Sequence, residues 1–203
     1  FRGFEAYYSV EFGADDATTG SWVKGPGRAL FERFVDVFGH RPLVAEDLGE
    51  IDEAVHVLRR EAGLLCTRVL QFGLDDSTGH SLHLPERCHV DALVYTGTHD
   101  NDTTQGWFDA LTQEAQDIVS GRIAAAERVV DGVIETAAST PASVVIVPAQ
   151  DVLRLGSEGR MNVPGVPSGN WGWRLAEGEL TAKDAKRLAT VVSQTERDGP
   201  AER

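Results

Sequence analysis

Apolar side chains recur every three or four positions in several stretches of the chain, the spacing of one buried face on an amphipathic helix. This periodicity, with helix-ending residues such as Gly39 and Gly63, predicts four helices. The first spans 28–38, and the second runs from a capping pair at 47–50 to residue 62. The third occupies much of 112–136 with a break near Gly121, and the fourth spans about 181–194. A shorter helical region is expected after 102–104, whose Asp and Thr side chains would cap it.

Four short runs are rich in apolar residues without helical spacing, as in strands of a parallel sheet that is covered on both faces. They are Leu43–Ala45, Arg68–Phe72, Ala92–Thr96 and Ser143–Val147. Loops rich in glycine and polar residues separate the elements, and 22–27 is predicted to be one of them. Because strands and helices alternate, the sequence predicts an α/β fold with a parallel sheet.

Composition narrows the class of protein. The 203 residues suffice for one domain with a sizeable core, and a hydrophobic fraction of 41% is ordinary for a globular protein. The net charge of -13 argues against nucleic acid and anionic membrane surfaces as partners, and no apolar run is long enough to span a membrane. Cys66 and Cys88 form neither a disulfide framework nor a zinc pattern, so the reducing cytoplasm is the expected location.

Acidic residues follow two of the predicted strands. Glu46 and Asp47 come directly after the first, and 99–102 (His-Asp-Asn-Asp) follows the third. In parallel α/β folds, ligand sites are built at the carboxyl ends of the strands. Two such ends with carboxylates favour chemistry on a polar, uncharged substrate, for which a sugar is the first candidate. Alternatively, Glu46 and Asp47 stabilise a helix N-terminus, and Asp100 or Asp102 caps the next helix.

An ordered set of motifs carries a family resemblance. The set comprises Ala45-Glu46-Asp47-Leu48-Gly49, Val69-Leu70-Gln71-Phe72, Tyr95 to Thr104, Gln150-Asp151-Val152-Leu153, Leu155-Gly156-Ser157-Glu158, Arg160-Met161-Asn162, Pro164-Gly165 and Pro167 to Leu175. In this order the motifs resemble the C-terminal half of the 4-α-glucanotransferases (amylomaltases) of glycoside hydrolase family 77, from Phe1 to about Leu180. The resemblance implies that the four strands are strands five to eight of a (β/α)8 TIM barrel.

The resemblance also sets expected boundaries. Residues 1–194 would form half of the catalytic barrel, and 195–203 a polar C-terminal tail. The chain opens on Phe1 rather than Met, so the N-terminal half of the barrel is an expected partner. In this family the nucleophile is an aspartate just ahead of the segment that begins at Phe1. The chain as given would therefore lack the nucleophile and be inactive alone.

Retaining glycosyl transfer needs a carboxylate nucleophile and a carboxylic acid about 5 Å away. The acid has to stay protonated near neutral pH, which burial and adjacent negative charge favour. Glu46 follows an apolar run and adjoins Asp47. The resemblance makes Glu46 the general acid/base and Asp47 a substrate-binding neighbour. It makes Asp100 the acid that steadies the oxocarbenium-like transition state, and His99 a hydrogen-bonding partner of the sugar.

The resemblance implies three further substrate contacts. Asn162 corresponds to a sugar-contacting asparagine after strand eight, and Phe72 and Asp76 correspond to positions on the acceptor side of the glucan after strand six. Phe72 could equally belong to the core, and Asp76 to a turn. Trp171 and Trp173 could stack on sugar rings, but packing against the protein is the favoured interpretation.

No metal and no cofactor are expected. His80, His83, Cys88 and His89 match no zinc spacing and lie in a polar loop, and the leaving group needs only a proton. The predicted function is transfer of α-1,4-glucan segments between maltooligosaccharides by retaining double displacement. An α-glucan hydrolase of related fold and a non-catalytic glucan-binding protein are the alternatives.

Overall fold

The computed structural model describes residues 1–40, 43–49 and 51–197 of the chain. These residues form two compact units, Phe1–Thr67 and the part from Arg68 onward. Glu50 of the predicted capping pair and 198–203 of the predicted tail lie outside the described residues. Within the described ranges, no helix combines the length and the apolar character that crossing a membrane requires.

The first unit begins with an antiparallel hairpin that the sequence pattern did not predict. Strand β1 (Ala6–Ser9) pairs with β2 (Ser21–Lys24), and the rings of the opposed residues Tyr8 and Trp22 are in edge contact at 5.3 Å. The prediction of a loop over 22–27 is therefore wrong where it overlaps β2. A long polar connection joins the strands, so the short turn motif that identifies a hairpin in a sequence is absent from it.

Two helices build the core of the first unit. Helix α1 (Arg28–Phe38) is confirmed, and it ends at Gly39, whose φ of 73° is the left-handed conformation that glycine adopts at helix ends. Helix α2 (Glu53–Glu61) starts later than predicted, because the carboxylate of Asp52 accepts the capping hydrogen bond from Val55 N–H at 3.1 Å. The core consists of Phe31, Ala45, Leu58, Ala62 and Leu64.

The segment Leu43–Ala45, predicted as a strand, has no strand assignment. Two hydrogen bonds from Thr67 hold this part of the chain. Its Oγ1 donates to the Ala45 carbonyl oxygen at 2.7 Å, and its N–H donates to Asp47 Oδ1 at 2.7 Å. The predicted cap at Asp47 is also wrong, because its carboxylate is engaged here.

A three-stranded sheet has the order β3-β4-β5, and all of it except the first two residues of β3 belongs to the second unit. Strand β3 (Cys66–Val69) starts earlier than predicted, and Leu70–Phe72 form a 3-10 turn after it. Strands β4 (Ala92–Tyr95) and β5 (Val144–Ile146) are parallel, as predicted, with Leu93 opposite Val144. Strand β5 was expected to be buried on both faces, but Val144 and Ile146 are 37% and 39% exposed.

In the part of the chain that the structure describes, five helices follow β4 along the sequence. They are α3 (Thr104–Ala110), α4 (Gln113–Arg122), α5 (Val129–Ser139), α6 (Ala149–Val152) and α7 (Ala182–Gln194). The break predicted near Gly121 falls after Arg122 instead, since Gly121 continues α4. Helix α5 buries an apolar face that includes Val130 and Val133. Helix α7 begins with a capping box, in which Thr181 and Asp184 bond each other's backbone N–H groups.

Candidate active site

The chain turns sharply after β4, and this turn carries the first site residues. Asn101 closes the turn, because its Oδ1 accepts hydrogen bonds from Thr98 N–H at 2.9 Å and from Thr98 Oγ1 at 2.8 Å. The side chains of His99 and Asp100 remain about half exposed, at 50% and 48%. Both therefore stand at the carboxyl end of a strand, where they can meet a ligand.

Asp100 lies at the centre of a cluster of three predicted site residues. Asn162 Nδ2 donates a hydrogen bond of 2.6 Å to Asp100 Oδ1, and His99 Nε2 lies 3.4 Å from the same oxygen. Asn162 comes from the segment after β5, so two neighbouring parallel strands supply the cluster. An amide donor and an imidazole beside one oxygen restrict the orientation of the carboxylate.

Trp171, for which packing against the protein was the favoured interpretation, extends this cluster. Its ring lies 5.2 Å from the His99 ring at an interplanar angle of 36°, and the residue is 53% exposed. Trp171 therefore packs against the protein at His99 and still exposes about half of its surface, whereas Trp173 is half-buried. The φ of Trp171 is 60°, a left-handed conformation that non-glycine residues adopt only where their surroundings hold it.

The loop between Asn162 and Trp171 is braced at its base. Asn170 Oδ1 accepts from Val163 N–H at 3.0 Å, and Asn170 Nδ2 donates to the Val166 carbonyl oxygen at 2.8 Å. The two ends of the loop are thereby held together, and each delivers one side chain to the cluster. A cavity of about 180 Å³ opens beside it, lined in part by His99 and Trp171.

Asp102 was predicted to cap the next helix, but its carboxylate has a different role. The cap of α3 is Thr103, whose Oγ1 accepts from Gly106 N–H at 3.0 Å. The Asp102 carboxylate accepts from Thr103 N–H at 2.8 Å and from Ser157 Oγ at 2.7 Å, and it lies 3.8 Å from an Arg160 guanidinium nitrogen. It therefore joins the segment after β5 to the turn after β4.

A buried carboxylate that sequence reasoning did not assign, Asp151, lies beneath this turn. It is 1% exposed and accepts hydrogen bonds from Thr96 Oγ1 at 2.6 Å, Thr104 N–H at 2.8 Å and Thr104 Oγ1 at 2.7 Å. Burial raises the pKa of the Asp151 carboxyl, and the three hydrogen bonds act against that rise. Its place in the motif Gln150-Asp151-Val152-Leu153 was the one signal that the sequence offered.

Phe72 is exposed rather than part of the core. The residue is 47% exposed, and its ring meets the edge of the His83 ring at 5.5 Å. His83 is held in turn, because its Nδ1 accepts a hydrogen bond from Val69 N–H at 3.1 Å. Removal from water lowers the pKa of His83 to about 4, with a smaller contribution from the charge of Arg68. An uncharged imidazole thus supports the exposed ring.

Asp76 organises the turn that follows Phe72. Its carboxylate accepts hydrogen bonds from Thr78 Oγ1 at 2.6 Å, Ser81 N–H at 2.7 Å, His80 N–H at 2.8 Å and Thr78 N–H at 2.9 Å. These bonds hold the pKa of Asp76 well below its usual range. The turn interpretation is confirmed.

Glu46 and Asp47 belong to the first unit and differ in exposure. Asp47 is buried, with Thr67 N–H on Oδ1, Arg59 Nε 3.4 Å from Oδ2 and His56 Nδ1 3.9 Å from Oδ2. Glu46 is exposed between the buried residues Ala45 and Asp47. The buried carboxylate therefore fixes the segment that carries the exposed one.

The histidines and Cys88 of the loop after β3 do not gather around a common point. Cys88 is buried, and its Sγ donates to the Leu84 carbonyl oxygen at 3.6 Å. Among residues 1–40, 43–49 and 51–197, no group of three or more His, Cys, Asp or Glu side chains is arranged to hold a metal ion.

Comparison with known proteins relates the whole segment to one family. The family model for 4-alpha-glucanotransferase, glycoside hydrolase family 77, matches residues 1–181. The 4-alpha-glucanotransferase of Thermus thermophilus is 43% identical over 206 residues, which cover 97% of this chain and 41% of that protein. A chloroplastic/amyloplastic 4-alpha-glucanotransferase of Solanum tuberosum is 42% identical, with 95% of this chain and 34% of that protein covered.

A solved structure shows the same relation. The amylomaltase of Streptococcus agalactiae, in complex with acarbose, superposes with a TM-score of 0.89 at 32% identity. The superposition covers 97% of this chain and 40% of that one. The α/β fold of this chain is thus similar to part of an amylomaltase, and the chain spans between 34% and 41% of the length of the relatives compared above.

Proposed function

Because the chain belongs to the 4-alpha-glucanotransferase family of glycoside hydrolase family 77, we propose that it supplies part of the catalytic domain of such an enzyme. The whole enzyme would transfer α-1,4-glucan segments from one maltooligosaccharide to another. The match over 1–181 and the 43% identity to the Thermus thermophilus enzyme support this reaction class. The proposal needs no cofactor and is compatible with the expected cytoplasmic location.

The proposed architecture is the second half of a (β/α)8 barrel. The parallel pairing of β4 with β5 and the superposition on an amylomaltase support it. In this arrangement β3, β4 and β5 are strands six to eight, and Leu43–Ala45 becomes strand five once the rest of the barrel provides its neighbour. The relatives are more than twice as long as the matched segment, and the remaining strands come from there.

The proposed reaction proceeds in two displacements. Glu46 gives its proton to the glycosidic oxygen as the bond from that oxygen to C1 breaks, and a carboxylate supplied from outside these 203 residues bonds to C1. The freed glucan leaves. The 4-hydroxyl of a second glucan then attacks C1, its proton passes to Glu46, and the carboxylate departs. The exposed position of Glu46, set by the buried Asp47, suits a group that has to reach the substrate.

The observation that carries the proposal is the cluster of Asp100, Asn162 and His99. A carboxylate that is half exposed and restrained by two neighbours can bind sugar hydroxyls and offset the positive charge that develops at C1. His99, beside it, donates to the same sugar. Phe72 and Asp76 lie on the acceptor side, where the exposed ring of Phe72 offers a stacking surface.

The test uses the full-length protein with maltotriose as substrate and compares Asp100→Asn with Asp109→Asn. Asp109 is an exposed carboxylate on α3, outside the cluster, and serves as the matched control. We expect longer and shorter oligosaccharides from the unmodified protein and from the control. Asp100→Asn should lower kcat by about a hundredfold to ten-thousandfold with little change in glucan binding, as should Glu46→Gln.

The products distinguish the alternatives. Glucose and maltose alone would identify an α-glucan hydrolase, whereas glucan binding without any product would identify a binding protein. An Asp100→Asn variant with nearly full activity would contradict the assignment of the cluster.

A further inference from the structure

Arg160 makes three contacts that meet at the Asp100 cluster. Its Nε donates to the Asn162 carbonyl oxygen at 2.9 Å, and its Nη2 donates to the Asp100 carbonyl oxygen at 3.2 Å. Its Nη1 lies 3.8 Å from Asp102 Oδ2. All three guanidinium nitrogens are therefore used, and the Arg160 side chain is 29% exposed.

These contacts connect the backbones of the two residues whose side chains form the short Asn162–Asp100 hydrogen bond. A guanidinium is planar, with its donors in a fixed fork, so it sets a distance and an angle between the groups that it joins. Asp102 strengthens this connection, because its carboxylate also accepts from Ser157 Oγ and its carbonyl oxygen accepts from Gln71 Nε2 at 3.0 Å.

Two glycines lie very close to this network. A side chain at Gly97 would come within 2.5 Å of Gln71 Nε2, and one at Gly106 within 2.3 Å of Ser157 Oγ. Hydrogen bonds between closely packed polar groups thus join the segments after β3, β4 and β5. Arg160 is the member of this network that contacts the backbone of both Asp100 and Asn162.

We propose that Arg160 is a positioning residue, which holds Asp100 and Asn162 in the geometry that stabilises the transition state. This inference rests on the proposed function of the cluster. In this role Arg160 acts through Asp100 and Asn162, and its side chain also borders the cavity beside the cluster. Displacement of a catalytic group by about 1 Å can cost about a hundredfold in rate, so loss of the fork should appear in kcat rather than in ground-state binding.

The first measurement compares kcat and KM on maltotriose in the full-length protein. Arg160→Met, which keeps the aliphatic stem, should lower kcat by about 10- to 100-fold and change KM by less than about threefold. Arg160→Lys should also be impaired, because one ammonium group cannot contact both carbonyl oxygens and Asp102 at once. Full activity of Arg160→Lys would contradict the need for the fork.

Arg154 provides a matched control. It is 28% exposed, lies in the same segment and forms a two-point pair with Asp131, at 3.0 Å and 2.8 Å, away from the cluster. Arg154→Met should lower the melting temperature and leave kcat within about twofold. Equal losses of kcat in the two Met variants would reduce Arg160 to a structural residue and overturn the proposal.

A double-mutant cycle separates positioning from an independent role. In an Asp100→Asn background, Arg160→Met should lower kcat by less than about threefold, because the group that it positions is already lost. Additive losses would overturn the inference. If Asp100→Asn alone is fully active, the proposed function of the cluster fails; if it is inactive while Arg160→Met is active, only the role of Arg160 fails.

Discussion

At the scale of single residues, three aspartates after strand ends have three different environments. Asp100 is half exposed and shares one oxygen between Asn162 and His99. Asp151 is buried among threonine donors, and burial raises its pKa. Asp76 accepts four hydrogen bonds in a turn, which lower its pKa. Only the first arrangement leaves a carboxylate free to respond to charge on a substrate.

Asp151 should be a stability residue. Asp151→Ala leaves three buried donors without an acceptor, and we expect a loss of about 2–4 kcal/mol. Because the shift per kcal/mol becomes smaller as a protein becomes longer, the melting temperature of the full-length protein should fall by about 2–4 °C. Asp151→Asn should lose less than half as much, because the Thr96 and Thr104 hydroxyls can turn to accept from the new amide. Equal melting temperatures for Asp151→Ala and the unmodified protein would contradict this role.

His83 should make stability depend on pH. Its pKa is about 4 in the folded state and about 6.5 when unfolded, so between these values the unfolded chain binds a proton that the folded chain does not. Stability contributed by this site is therefore present above pH 6.5 and lost as the pH falls toward 4. Thermal melting from pH 7.5 to 4.5 measures it.

His83→Asn supplies the control, because the Asn oxygen can accept from Val69 N–H without titrating in this range. Its melting temperature should fall less between pH 7.5 and 4.5 than that of the unmodified protein. Parallel curves for His83→Asn and the unmodified protein would show that another group titrates.

The sequence identified the residues of the Asp100 cluster through their motifs, but not the contacts among them. Asn162 is 62 positions from Asp100, and no local pattern states that their side chains bond. The sequence also did not show that Trp171 packs on the His99 ring, because this contact depends on a braced loop and a left-handed backbone. Contacts of long sequence separation are settled by packing, not by spacing.

At the scale of elements, the N-terminus of α3 shows which of two neighbouring residues, Asp102 or Thr103, caps the helix. Thr103 accepts the capping bond from Gly106 N–H, whereas Asp102 bonds Ser157. Thr103→Ala should cost about 1 kcal/mol and lower the melting temperature of the full-length protein by about 1 °C. Asp102→Asn should change kcat more than stability, since its new amide would face the Arg160 guanidinium.

This prediction is tested by measuring both kcat on maltotriose and the melting temperature of full-length Thr103→Ala and Asp102→Asn. A larger thermal loss in Asp102→Asn than in Thr103→Ala would restore the cap to Asp102.

Helices were predicted better than strands for a physical reason. Helices α1 and α7 combine an apolar face with glycine or a capping box at an end. The hydrophobic spacing therefore identifies each helix, and the residues at its end identify where it stops or starts. A three- or four-residue strand carries too little pattern to fix its limits, as β3 and Leu43–Ala45 show. The β1–β2 hairpin was missed because its pairing spans a long polar connection.

At the scale of the whole molecule, apolar surface remains uncovered in both units. In the first, Tyr7, Trp22 and Phe12 are 48%, 56% and 108% exposed. In the second, Val144 and Ile146 of β5 are exposed, and a cavity of about 500 Å³ lies along β5 and α7. Exposed apolar patches and open strand edges promote association. In the proposed barrel, the rest of the enzyme covers them.

We therefore predict that the 203-residue polypeptide, produced alone, self-associates and has no transferase activity on maltotriose. The inactivity follows because the resemblance locates the nucleophile outside these residues, and retaining transfer stops without it. Size-exclusion chromatography with thermal melting tests the first part, and product analysis the second.

Transfer products from the pure polypeptide would mean that another carboxylate, such as Asp100, attacks C1. A monodisperse monomer with one sharp cooperative transition would identify an autonomous domain, and the half-barrel architecture would then be wrong, because open edges and uncovered apolar faces would not behave that way.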